Sequence, residues 1–185
     1  MTAVIPTDHH FPWTEEEYLA LGETEDRVEL FEGDLHVSSS PTPRHQRICG
    51  KLLLRLDAPC EARGLYVHAA INLRLKPGTI VIPDLTITSA IDFDDRVVPA
   101  DRARLVCEVT SPSNAATDKV LKMHYYAEAG IPWYLLIDHE TGTLVLHRLE
   151  NNAYVRHATV RPGDVLRLIE PVTVDIRPES LLPPR

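Results

Sequence analysis

The sequence predicts a single α/β domain built on a mixed β-sheet with helices on its faces. Short apolar runs of strand length alternate with three helical segments, and residues 132–137 form a nearly continuous apolar run, as in a strand buried on both faces. The order of strand 104–110, helix about 115–129 and strand 132–137 implies a crossover unit. With 185 residues and 44% hydrophobic residues, the chain can bury the core of one ordinary domain.

The first helix and the first hairpin have clear local signals. Thr14 and Glu17 have the spacing of a capping box, and Gly22 fits the end of the helix that they begin. Strand candidates 27–31 and 35–38 are separated by a Glu-Gly-Asp segment, which predicts a hairpin.

A longer second helix is predicted from the Thr42-Pro43 pair, a cap followed by proline at the first helical position. It should extend to about Arg63, and Pro59 should break or kink its last part. Its core-facing positions are Ile48, Leu52, Leu53 and Leu56.

The middle of the chain predicts extended structure. Residues 66–75 alternate as a strand or a bent pair, and residues 79–88 read as one strand with a bulge or edge before Asp84, because Pro83 has no N–H to donate. Residues 89–101 should form a surface connection.

After the crossover, the pattern predicts a C-terminal β meander. Its strands should be 144–149, 154–160, 165–168 and 172–176. Residues 1–11 and 178–185 are expected to be loose tails of the single domain 1–185.

Composition narrows the class of protein. A net charge of −8 argues against a broad basic surface for nucleic acid, although a local basic cleft is compatible with it. No apolar window has the length of a membrane span, and the N-terminus lacks the build of a secretion signal, so we expect a cytoplasmic protein. The odd number of cysteines, without a CxxC pair, favours buried thiols over disulfides or zinc.

Two strands each carry one acid on their less apolar side. Because successive side chains of a strand point to opposite faces, Asp84 should lie on the face opposite Leu85 and Ile87. Glu108 should likewise lie on the face opposite Leu105, Cys107 and Val109. An acid within an apolar strand must be paired, protonated or metal-bound, whereas a lone Asp after proline is often only a solvated turn residue. Carboxylate ligands suit Mg²⁺ or Mn²⁺, ions that lower the pKa of an attacking water in phosphodiester hydrolysis.

Pro83-Asp84 and, 24 positions later, Glu108 resemble the motif of the PD-(D/E)XK nuclease superfamily. The departure is at residue 110, where the motif has lysine and this chain has threonine. In several branches of that superfamily the lysine lies on the following helix, and Lys122 is suitably placed there. It shares a helical stripe with Asp118 and Tyr126, so a plain surface pair between Lys122 and Asp118 is the alternative.

Several further segments, in the same order, resemble the Uma-two family of restriction endonuclease-like proteins. They are Glu29 to Asp34, His45, Pro83 to Leu85, Glu108 to Ser113, Asp118, Lys122, Tyr126 and Gly130 to Tyr134. The resemblance covers about residues 14–150 and implies a restriction-endonuclease-like fold. It further implies metal ligands at Asp84 and Glu108, the relocated lysine at Lys122, and an additional acid at Glu29. Glu32 or Asp34 could replace Glu29 if the register differs.

Three more residues are candidates for substrate binding. His45 near the start of the second helix, Ser111 after the second acid, and Tyr126 could each contact substrate. Their alternatives are a solvated histidine, a helix cap and a core aromatic residue.

Taken together, these features predict a Mg²⁺- or Mn²⁺-dependent endonuclease that acts on nucleic acid, with DNA favoured and homodimerisation plausible. One rival is a catalytically inactive nuclease-fold module for binding or assembly, which the threonine at 110 and the acidic charge favour. A second rival is a carboxylate-pair hydrolase without metal, which would need an apolar pocket around one acid.

Overall fold

The computed structural model describes residues 11–184 except 23, 25 and 111–115, and it describes the backbone alone for 116–119. The tail predicted at residues 1–11 therefore lies almost wholly outside the described residues. The helices are α1 (Glu15–Ala20), α2 (Pro43–Glu61), α3 (Ala116–Glu128) and α4 (Pro178–Leu181). The strands are β1 (Arg27–Phe31), β2 (Asp34–Ser38), β3 (Tyr66–Ala69), β4 (Leu73–Lys76), β5 (Thr79–Val81), β6 (Leu85–Thr88), β7 (Val98–Pro99), β8 (Ala103–Thr110), β9 (Trp133–Asp138), β10 (Leu144–Glu150), β11 (Ala153–Val160), β12 (Leu166–Leu168) and β13 (Val174–Ile176).

The larger sheet has six strands in the order β11-β10-β9-β8-β6-β3. Only β8 and β9 run parallel in it, and α3 joins them, so the predicted crossover is confirmed. The sheet is mixed because its other neighbours pair antiparallel. The start of the predicted meander is thus continuous with this sheet, whereas β12 and β13 form a separate two-stranded ladder.

Helices cover both faces of this sheet. Leu105 and Cys107 pack in one core cluster with Ile48 and Leu52 of α2, while Val106 belongs to a second cluster. That second cluster contains Tyr126 of α3. The predicted alternation along β8 is therefore confirmed, and it directs Glu108 toward the α3 face.

The smaller sheet corrects the prediction that residues 79–88 form one strand. It has the order β2-β1-β5-β4-β7, so β5 pairs with the β1–β2 hairpin, whereas β6 belongs to the larger sheet. The chain changes sheets at residues 82–84, where Pro83 offers no ladder donor and the Ile82 amide bonds to a side chain instead. Residues 66–75 make the matching change at Ala70, whose φ is +50°.

Two further elements differ from the sequence prediction. Helix α2 continues through Pro59 to Glu61, so no break occurs at the proline. The segment expected to be a surface connection contributes β7, which pairs in parallel with β4, and a 3-10 turn at Ala100–Arg102.

The C-terminal segment is not a loose tail. Pro178–Leu181 forms the short helix α4, and Leu181, with 2% of its surface exposed, belongs to the core cluster that contains Leu52 and Leu56 of α2. The reason is apolar burial: Leu181 fills the space between α2 and the β12–β13 ladder. Within the described part of the chain, no helix is long and apolar enough to cross a membrane.

Candidate active site

Three acids and one lysine are buried together where the two sheets meet. Glu29 comes from β1, Asp84 from the residue just before β6, Glu108 from β8, and Lys122 from α3. Their exposed fractions are 2%, 4%, 9% and 6%, respectively. Buried charges of this kind are tolerated only when they are paired or bound to a cation.

Lys122 links two of the acids. Its Nζ lies 2.9 Å from Oε1 of Glu29 and 3.3 Å from Oε1 of Glu108. Each glutamate accepts one more hydrogen bond on the same oxygen, because the Ile82 amide donates to Glu29 and the Tyr126 hydroxyl donates to Glu108, both at 2.6 Å. The crossover helix therefore places a lysine between two of the buried acids.

Asp84 is held by a different set of partners. Arg27 Nη1 donates to Oδ1 at 2.8 Å, and Oδ2 accepts from the Val109 amide at 2.8 Å and lies 3.0 Å from Nε2 of His45. Burial alone would raise the pKa of Asp84, but the hydrogen bond with His45 and the Arg27 charge more than offset it and lower the pKa to about 2. Asp84 is therefore an anion at every physiological pH.

Glu108 is shifted in the opposite direction. Burial raises its pKa from 4.5 to about 7, and the nearby charges of Asp84 and Glu29 add to the increase, although Lys122 opposes it. Burial, with repulsion from the neighbouring carboxylates, thus makes Glu108 hard to ionise. A bound cation would remove this repulsion, so the cluster has the electrostatics of a cation site.

The donor set fits a hard divalent ion. A carboxylate has about four acceptor positions, and Asp84 uses three in the described contacts, whereas both described bonds of Glu108 fall on one oxygen. Asp84 and Glu108 are close enough for the charge of one to raise the pKa of the other. Oxygen ligands of this type suit Mg²⁺ and Mn²⁺.

A second group of possible ligands consists of His45, Cys49 and Asp84, whose ligand atoms lie within 4.8 Å of one another. Its geometry fits a single ion less well. Cys49 Sγ lies 3.6 Å from Nδ1 of His45, whereas Asp84 is at Nε2, and the two ring nitrogens point in different directions. Burial also raises the pKa of the Cys49 thiol to about 12, and sulfur is a soft ligand that hard ions such as Mg²⁺ and Mn²⁺ do not prefer.

The structure brings together six of the residues that the sequence analysis proposed for the site. Asp84, Glu108, Lys122 and Glu29 form the cluster, Tyr126 contacts Glu108, and His45 contacts Asp84. Ser111 lies outside the described residues, and the side chain of Asp118 is also not described.

The structure also bears on two alternatives from the sequence, namely which acid of the β1–β2 hairpin reaches the cluster and whether Tyr126 contacts substrate. Glu32 is paired with Lys76 and is exposed, as is Asp34, so Glu29 is the acid of the hairpin that reaches the cluster. Tyr126 is fully buried, a position that suits orientation of Glu108 rather than contact with substrate.

Sequence reasoning missed Arg27 and the Ile82 amide. Arg27 had a usable signal, because residues two apart on a strand share a face and Glu29 lies two positions further along β1. The Ile82 amide had none, since its bond depends on the change of sheet at residues 82–84.

A mixed sheet between two helices, with Asp84 just before one strand, Glu108 on the neighbouring strand and a lysine on the crossover helix, is typical of a nuclease-like α/β fold. A model of the Uma2 family, described as "Putative restriction endonuclease", matches residues 15–177, and the chain belongs to this family. The resemblance seen in the sequence is thereby confirmed. A search among curated proteins finds no match.

One solved structure of high coverage shares the fold. The crystal structure of a "putative nuclease belonging to DUF820" from Anabaena variabilis is 17% identical, covers 92% of this chain and 97% of its own, and has a TM-score of 0.72. A cryo-electron microscopy structure of a DrdV–DNA complex is 21% identical over 61% of this chain and 10% of its own. Its TM-score of 0.39 is too low for a comparison of folds.

Proposed function

We propose that this protein is a metal-dependent, endonuclease-like phosphodiesterase that acts on nucleic acid, with DNA as the preferred substrate. The observation that carries the proposal is the buried Lys122 ammonium between Glu29 and Glu108, beside Asp84. It restores, from a helix, the lysine that the family motif has on the strand.

Asp84 and Glu108 would hold the divalent cation, with Glu29 as an additional acid. A bound Mg²⁺ or Mn²⁺ gathers phosphate oxygens and lowers the pKa of a water molecule. The protein's own contribution is to keep Asp84 ionised and to hold both carboxylates in place. Arg27, His45 and the Val109 amide fix the two oxygens of Asp84, and Tyr126 fixes one oxygen of Glu108.

Lys122 has two roles in this proposal. Its ammonium group orients the attacking water, and it stabilises the negative charge that develops on the phosphate. Because two carboxylates hold Nζ, the group is oriented before the substrate arrives and needs little reorganisation during the reaction. His45 at the edge of the cluster, and Ser111 in the segment after β8, are proposed to contact the substrate.

A cleavage assay tests the proposal. Purified protein is incubated with plasmid and with single-stranded DNA, with Mg²⁺, with Mn²⁺, or with chelator. We expect metal-dependent cleavage that falls by two or more orders of magnitude in Glu108→Gln and in Lys122→Ala, since each removes a group that acts in the transition state. Lys76→Ala is the matched control, because Lys76 also bonds to two glutamates but on the surface. Cleavage that survives both substitutions, or that needs no metal, would falsify the assignment.

A catalytically inactive binding or assembly module is the second candidate. The favouring observation is that Asp84 already has a cationic partner, Arg27 at 2.8 Å, and a hydrogen-bond partner in His45 at 3.0 Å. Calorimetric titration with Mn²⁺ separates the two candidates. An active site should bind Mn²⁺ in the wild type and in Asp101→Ala, an exposed control, but not in Asp84→Ala. Heat signals that are equal in wild type and Asp84→Ala would favour the inactive module.

A further inference from the structure

Basic side chains line the outer face of α2. Arg44, Arg47, Lys51 and Arg55 follow one another at intervals of three or four residues, and all four are exposed. Residues at this spacing lie on one side of a helix, and this side borders the core face of α2, which contains Ile48 and Leu52. We call these four residues the basic face.

A groove lies between the C-terminal half of the basic face and the segment 175–180 near the end of the chain. It has a volume of about 470 Å³ and is lined by Lys51, Leu54, Arg55, Asp175, Arg177 and Ser180. Three of these side chains are cationic and one is anionic, although the whole chain carries a net charge of −8. The groove therefore carries a net positive charge on an acidic protein, as expected of the local basic cleft that the composition left open.

The basic face begins beside the candidate active site. Arg44 Nη1 lies 3.5 Å from the His139 carbonyl, and Nδ1 of His139 lies 2.7 Å from the carbonyl of Thr110, two residues after Glu108. The next residue of α2, His45, contacts Asp84. From Arg44 to Arg55 the helix rises about 17 Å, which is the axial length of about five base pairs of duplex.

We propose that the basic face and its groove bind the sugar-phosphate backbone of a nucleic acid whose scissile phosphate lies at the active site. The inference rests on the proposed function and names the surface that holds the substrate. A row of cations matches a polyanion with regularly spaced phosphates, whereas a single small anion would use only one of them. The one anion in the groove, Asp175, leaves an excess of two positive charges there.

The surface is poorly suited to a lipid bilayer. Leu54 is the only large apolar side chain exposed along it, among the residues that line the groove. Peripheral attachment to membranes depends on an extended apolar face that enters the bilayer surface, and one leucine provides little of this. The basic face is expected to bind without sequence preference, because arginine and lysine contacts to phosphates fix the position of the nucleic acid but do not read its bases.

The test measures binding without cleavage. A labelled 20-base-pair duplex is titrated in chelator with wild type, with Arg44→Gln/Lys51→Gln, and with the matched control Arg102→Gln/Arg156→Gln, which removes the same charge elsewhere on the surface. Arg47 and Arg55 are kept because they donate to the carbonyls of Leu182 and Asp175 at 3.3 and 2.9 Å, whereas the bond from Arg44 to the His139 carbonyl is longer, at 3.5 Å, and Lys51 has no described hydrogen bond from its side chain. We expect roughly tenfold weaker binding in the first variant only, with a fall of about 2 in the slope of log affinity against log salt.

Several outcomes would overturn the inference. They are equal affinity and slope in the two double variants, absence of duplex binding by the wild type, and stronger binding to anionic phospholipid vesicles than to duplex. Lys51→Glu serves as a second variant that changes a single exposed residue, and it should weaken binding further than Lys51→Gln. The wild type could also bind the duplex through the basic face but never cleave it. That result would contradict the proposed function and support this inference, so failure of one proposal can be distinguished from failure of the other.

Discussion

Nζ of Lys122 lies 2.9 Å from Oε1 of Glu29, although 93 positions separate them in the chain. The same lysine also reaches Glu108, so one buried cation holds two acids from different sheets. Lys76 has the same number of glutamate partners, Glu32 at 2.7 Å and Glu128 at 3.1 Å, but on the surface. Comparison of these two lysines therefore separates the effect of burial on stability from the effect of ion pairing.

Lys122→Ala should destabilise the protein far more than Lys76→Ala. Removing Lys122 leaves two buried carboxylates without their cation, which costs about 3–5 kcal/mol. Removing Lys76 breaks only solvated pairs and should cost about 1 kcal/mol or less. Urea unfolding at neutral pH gives both values. Equal losses in the two variants would contradict the described burial of the cluster.

Tyr126→Phe should lower stability by about 1–3 kcal/mol, because it removes a hydrogen bond to a buried charged group. The control is Tyr134→Phe. Tyr134 is equally buried, but its hydroxyl has no hydrogen-bond partner among the described residues, so its removal should be nearly neutral. Thermal unfolding of both variants measures the difference, and a larger loss in Tyr134→Phe would be inconsistent with the bond from Tyr126 to Glu108.

Stability should fall as pH rises toward neutrality, because of Glu108. Its pKa is raised in the native state from 4.5 to about 7. The native state therefore binds more protons than the unfolded state in this window, so the contribution of Glu108 is complete below pH 4.5 and is lost as pH rises through 7. The maximal slope for one group is about 1 kcal/mol per pH unit.

Metal-free wild type and Glu108→Gln should be compared by urea unfolding between pH 4.5 and 8. The stability of wild type relative to the variant should decrease across this range. Asp84 does not interfere, since its lowered pKa affects stability only at pH values below about 4. A constant difference between the two proteins would show that Glu108 is not shifted.

Leu181→Ala should cost about 2–5 kcal/mol, as for other buried leucines. Leu54→Ala provides the control, because 71% of that side chain is exposed, against 2% for Leu181. The measurement is again urea unfolding, and truncation before Pro178 should reproduce the loss. Wild-type stability in the truncated protein would mean that α4 does not contribute to the core.

Local patterns predicted the first three helices and the strand that carries Glu108. The capping box of α1 and the Thr42-Pro43 start of α2 depend on residues a few positions apart, and both are present in the structure. The positions of Asp84, Glu108 and Lys122 followed from strand alternation and helical spacing once the motif was recognised. Each of these inferences needs only the geometry of one element.

Contacts between distant elements could not be predicted in this way. The pairing of β1 with β5, which brings Glu29 to the cluster, is set by long-range sheet assembly rather than by local sequence. For the same reason, residues 79–88 read as one strand although they divide between two sheets. Leu181 looked like part of a tail because a short segment gives no sign of the surface that will cover it.

The change of sheet at residues 82–84 has a consequence for cooperativity. Glu29 belongs to the smaller sheet and Glu108 to the larger one, and the linking segment itself carries Asp84 and the Ile82 amide. Opening of either sheet alone would separate the acids from one another. Regions that open locally usually have their own, lower free energy of opening. Here, backbone amides in β1 and β8 should lose their protection against hydrogen exchange together. The proposed cleavage activity should be lost in the same transition.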